Sequence, residues 1–76
     1  MLMHKWISVF IINVVLLTAQ QAEIDSLFMQ ANQAMDEQSY RQAVINYEKI
    51  LQMGIDHPDL YYNLGNAYYR MGIYGQ

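Results

Sequence analysis

The stretch Leu60-Tyr61-Tyr62-Asn63-Leu64-Gly65-Asn66-Ala67-Tyr68-Tyr69-Arg70 decides the fold. Tyr61, Leu64, Gly65 and Tyr68 recur at the three-and-four spacing of one helix face. Gly65 is the unusual member, because glycine inside a helix costs about 1 kcal/mol relative to alanine. A glycine kept there lets another backbone come close. The stretch therefore predicts a helix built to have a second helix pressed tightly against it.

An earlier part of the chain repeats the pattern. A shift of 34 residues lays Asp25 on Asp59, Leu27 on Tyr61, Phe28 on Tyr62, Ala31 on Gly65, Asn32 on Asn66 and Tyr40 on Tyr74. Large apolar meets large apolar, small meets small, and three of the pairs are identical. That period, with these features, is the signature of a helix-turn-helix solenoid. The chain resembles the tetratricopeptide repeat family. Tyr61, Leu64, Gly65 and Tyr68 match the family's first-helix pattern, and Tyr40, Ala43 and Tyr47 match its second. The resemblance implies an all-α fold of about one and a half repeats.

Composition narrows the possible functions. The chain of 76 residues is at most one small domain. A formal net charge of −3, with only four Lys and Arg, provides no basic footprint for nucleic acid. The absence of cysteine excludes disulfides, thiol catalysis and cysteine-ligated metal.

At the amino terminus, Lys5 precedes a run from Ile7 to Leu17 that is apolar except for Ser8 and Asn13, and Thr18-Ala19-Gln20-Gln21-Ala22 follow. A charged start, a short apolar run and a small-residue exit form the layout of a secretory signal peptide. The run falls short of the roughly 20 residues that span a bilayer. Residues 1–19 are thus read as an export signal cleaved after Ala19, with an uncleaved membrane anchor or a buried first helix as alternatives. Cleavage would leave seven acidic against three basic residues, a net charge of −4.

Residues 20–23 then form a short linker, 24–57 a first repeat, and 58–76 the first half of a second. The first helix is expected from about Ile24 to Glu37, with Ile24, Leu27, Ala31, Ala34 and Met35 inward. A turn follows at Gln38-Ser39, with Gln38 where the family commonly places glycine. Ser39 and Gln42 have the spacing of a capping box that starts a second helix, Tyr40 to Met53. Ala43, Val44, Tyr47, Ile50 and Leu51 face inward on it, and Gly54 ends it in the left-handed conformation. Pro58 suits the first turn of a third helix reaching about Met71. Gly72-Ile73-Tyr74 are expected to copy the turn into a fourth helix. The chain would then be a partial one, because solenoids of this kind need about three repeats for stability. Tyr61, Leu64 and Tyr68 would be left partly in water.

No nucleophile is paired with a base, and no glycine-rich phosphate loop follows a strand. His57, beside Asp56 and Asp59, lacks the ligand spacing of a closed metal site and reads as a loop or helix-cap residue. Neither an enzyme nor a cofactor is expected. The residues left after packing are Phe28, Asn32, Met35, Tyr62, Asn66, Tyr69 and Arg70, with Asp25 and Asp59 beside them. The resemblance implies that this stripe lines a concave groove for a protein or peptide partner. Aromatics supply contact area, Asn can hydrogen-bond a peptide backbone, and Arg70 can hold a carboxylate.

The export signal, the Ser26-Leu27-Phe28 and Ala31-Asn32 entry, and the helix from Leu60 also resemble the start of Bat-type proteins of bacterial aerotolerance operons. That resemblance implies a non-catalytic scaffold, exported or membrane-associated in the cell envelope, with other Bat-type proteins as partners. The alternatives are a membrane-anchored assembly adaptor, chaperone-like in role, and a remnant without independent function.

Overall fold

The computed structural model describes residues 2–74, which form three helices and no strand: α1 (Leu2–Asp36), α2 (Tyr40–Gln52) and α3 (Pro58–Tyr74). The chain is all-α. Helix α2 runs antiparallel to both neighbours: Tyr47 meets Phe28 and Asn32 of α1, while Tyr40 stacks on Tyr74 and Glu48 meets Tyr68 of α3.

The core lies along α2. Ala31 of α1, Ala43 of α2 and Ala67 of α3 are completely buried. A methyl side chain on each helix lets the backbones approach, and larger residues fill the space alongside. Tyr47, Ile50 and Leu60 are the largest fully buried side chains, joined by Ile24, Ala34, Val44 and Leu64. Leu27, Met35 and Leu51, expected inward, are half-buried against this cluster.

Helix α1 differs most from expectation. Its first turn does not lie near Ile24, and residues 20–23 are not a linker but continuous helix. No Gly or Pro stands between Leu2 and Asp36, so nothing breaks the ladder of backbone hydrogen bonds. A helix of 35 residues is about 52 Å long at 1.5 Å per residue, which accounts for the 63 × 19 × 14 Å extents. From Ser8 to Glu23 every residue is exposed, including Val9, Phe10, Ile11, Ile12, Val14, Val15, Leu16 and Leu17. This segment is an apolar rod projecting from the bundle. Among the described residues, no helix is long and apolar enough to cross a membrane.

The turn between α1 and α2 is made by the backbone. Ser39 makes no side-chain cap bond, and Gln42 donates instead to Asn46 at 3.4 Å, so the expected capping box does not form. Gln38 adopts φ 62°, its N–H donates to the Met35 carbonyl at 3.1 Å, and the Ser39 N–H donates to the Ala34 carbonyl at 2.8 Å. These two bonds are the Schellman pattern, which satisfies the last carbonyls of α1. The closure serves the carbonyls of α1 and not the first N–H groups of α2; Ser39 itself stands at φ −90° and ψ 67°, outside the extended backbone that an N-cap residue usually adopts. Gly54 ends α2 with φ 88°, as its position predicts.

Helix α3 begins with His57, whose Nδ1 accepts the Asp59 N–H at 3.1 Å, ahead of Pro58. Histidine here does the work of an N-cap. The expected turn at Gly72–Tyr74 is absent, and α3 continues to Tyr74. Gly72 has open space around it, and helical hydrogen bonds satisfy its backbone without a left-handed residue. The buried face of α3 is Leu60, Leu64 and Ala67. Tyr61, Gly65 and Tyr68 are exposed, and no helix presses on Gly65.

Gln38 holds a conformation that costs an L-residue roughly 1–2 kcal/mol. Gln38→Gly should stabilise the fold by about 1 kcal/mol, raising Tm by about 5 °C in a domain of this size. Thermal unfolding followed by circular dichroism checks this, and an unchanged or lower Tm would contradict the turn geometry.

Candidate functional site

Helices α1 and α3 flank a groove with α2 as its floor. At one end a space of about 190 Å³ is lined by Asn32, Met35, Asp36, Tyr47, Asn63 and Asn66. It adjoins a wider one of about 470 Å³, lined by Gln21, Ile24, Asp25, Phe28, Asn32, Ile55, His57, Asp59 and Asn63. Asn32 and Asn63 belong to both, so the two spaces form one furrow.

Tyr47 shapes the floor. Its side chain is 1% exposed, its ring meets Phe28 edge-on at 6.2 Å between centroids, and its hydroxyl donates to Asn32 Oδ1 at 2.5 Å. The Asn32 carbonyl is thereby engaged, and its amide NH2 is turned to donation. Burial pushes the Tyr47 phenol above its ordinary value of 10.0, and the nearby Asp36 carboxylate pushes it the same way. Both effects keep the phenol protonated as a donor.

Of the residues expected at the site, the structure brings Phe28, Asn32, Met35 and Asn66 to the groove. Phe28 and Met35 are also half-buried against the core, so they serve packing as well. Tyr62, Tyr69 and Arg70 are exposed on α3 and line neither space. Asn63 lines both and was not singled out by sequence reasoning. The shift of 34 residues pairs it with Met29 rather than with another asparagine, so the repeat carried no signal for it. Its position three residues before Asn66, on one helix face, could have found it.

Charge in the furrow has one sign. Asp25, Asp36 and Asp59 line it, and no Lys or Arg does. The carboxylate-holding role expected of Arg70 has no place in this lining. His57, with its Nδ1 committed to the α3 backbone and 3.9 Å from Asp59, sits at the wide end. The furrow offers amide groups, an aromatic wall and carboxylates.

Comparison with protein-family models, characterised proteins and solved structures gives no match for this chain.

The Tyr47 hydroxyl yields a pH prediction. A phenol whose pKa is raised by folding contributes stability that is complete below pH 10 and is lost as pH rises through the folded value. Tyr47→Phe should cost about 1 kcal/mol at neutral pH, by loss of one hydrogen bond. It should also flatten the stability loss above pH 10. Chemical denaturation at pH 7 and across the alkaline range measures both effects.

Proposed function

We propose that this chain is a non-catalytic interaction module, built on tetratricopeptide-type helix pairs, whose furrow between α1 and α3 receives an extended protein segment. The observation that carries this reading is the alignment of Asn32, Asn63 and Asn66 along one furrow floored by Tyr47. Side-chain amides both donate and accept, which suits a peptide backbone whose polar groups need partners when water is displaced. Phe28 and Met35 supply apolar contact, and Asp25, Asp36 and Asp59 favour a segment carrying Lys or Arg.

The amino-terminal rod supports a location at the cell envelope. Its large apolar side chains find no cover within the bundle, and a chain kept in water gains nothing from such a surface. An export signal, or an anchor held at a membrane surface, accounts for it. Within that setting the chain would act as a scaffold among envelope proteins, of the kind its resemblance to Bat-type aerotolerance proteins implies. The second reading, a membrane-anchored adaptor, differs only in whether residues 1–19 stay attached.

Two measurements test this. Peptides selected from a random library against the protein should be enriched in Lys and Arg. Their binding should weaken by about thirtyfold in Asn63→Ala/Asn66→Ala, the value of roughly two hydrogen bonds at about 1 kcal/mol each. Selected peptides indifferent to that double variant would remove the furrow from consideration. Amino-terminal sequencing of the protein recovered from an expressing bacterium's envelope should begin at Gln20; a start at Met1 favours the anchor.

A further inference from the structure

We infer that the furrow selects an extended segment carrying two cationic side chains about five residues apart, one seated at each end. The inference rests on the reading of the furrow as a peptide site, and goes beyond it in fixing the charge pattern of the occupant.

The spacing comes from α1. Asp25 and Asp36 are separated by about three helical turns, so both lie on one face of the helix, about 16 Å apart along its axis. Phe28 and Asn32 fall between them on that face. On α3, Asp59, Asn63 and Asn66 share a face in the same way and make the opposite wall. The carboxylates stand only at the ends. Asp25 and Asp59 line the wide space, Asp36 lines the narrow one, and the amides of Asn32 and Asn63 lie where the two spaces join. No Lys or Arg reaches the lining to neutralise them.

An extended chain advances about 3.3 Å per residue, so it covers this distance in about five residues. Successive side chains point to opposite sides, so residues five apart face opposite walls. One cation then meets Asp59 on α3 while the other meets Asp36 on α1. The residue beside the first cation turns to α1, where Ile24 and Phe28 provide an apolar seat. Two adjacent cations span only about 3.3 Å and engage one end alone.

Asp36 gives a separate reason to expect a cation at the narrow end. It is the last residue of α1, where the partial negative charge of the helix disfavours a carboxylate. Among the described residues its carboxylate accepts no hydrogen bond and meets no cation. By contrast, Gln21 donates to Asp25 at 2.9 Å and Gln33 donates to Glu37 at 3.2 Å. Burial and then Asp36 raise the Tyr47 phenol, which sets this carboxylate beside the furrow floor. The charge works against its own helix and is left for an incoming partner.

Nuclear magnetic resonance of the labelled full chain, read at its side-chain amides, tests the inference with two synthetic peptides. Both are acetylated, amidated chains of serine and alanine with two lysines and one phenylalanine. In one the lysines stand five positions apart with phenylalanine after the first; in the other they are adjacent. Equal net charge makes spacing the only electrostatic difference. The spaced peptide should shift the Asn32, Asn63 and Asn66 signals and bind about fivefold tighter, the upper worth of one exposed ion pair. Asp36→Asn should erase that advantage while keeping or raising Tm, since it removes a charge the helix end disfavours. Equal affinities with the asparagine signals moving would overturn the spacing and leave the furrow standing. An advantage that survives Asp36→Asn, or a Tm lowered by it, would overturn the inference as well. If neither peptide moves those signals, the peptide-site reading itself falls, and this inference falls with it.

Discussion

Tyr47 is the point on which the structure turns. A tyrosine can be fully buried only if its hydroxyl finds a partner, because an unpaired polar group in an apolar setting costs about 1–3 kcal/mol. Asn32 is that partner, and meeting the requirement fixes the distance between α1 and α2. The same ring braces Phe28 and floors the furrow. Packing and candidate recognition therefore share one side chain. Around it, the three fully buried alanines set how closely the helices lie.

Much of this arrangement was legible in the sequence, for identifiable reasons. The small residues Ala31 and Ala43 and the large Tyr47 recur at helical spacing, and burial follows spacing directly. Gly54 before Asp56-His57-Pro58 reads as a stop followed by a start, because each residue's backbone preference is local. Four of the seven expected site residues also reach the furrow, Asn32 and Asn66 from exposed positions and Phe28 and Met35 from the margin of the core.

The features that could not be read depend on competition between alternatives. Ser39 has the right spacing for a cap, but the closure through Gln38 that ends α1 leaves Ser39 at a backbone conformation from which its side chain makes no cap bond to α2. Gly72 is able to turn the chain, yet ability does not compel; without a packing partner the helix continues. Residues 20–23 have a linker's polarity but no helix breaker, so helical propensity carries α1 through them. Tyr61, Gly65 and Tyr68 share a helix face as read, but that face lies to the side of Leu60, Leu64 and Ala67, which are the residues buried on α3. Periodicity reveals which residues travel together, not which neighbour they meet.

The unbroken α1 has a geometric consequence. Because no hinge separates its apolar rod from its packed half, the bearing of the furrow around the α1 axis is locked to the bearing of the rod. Each residue inserted between Leu17 and Ile24 would swing the two apart by about 100° and push them about 1.5 Å further from each other. Such a helix transmits torque and phase as well as distance. A surface gripping the uncut rod would thereby choose the compass direction from which anything can enter the furrow.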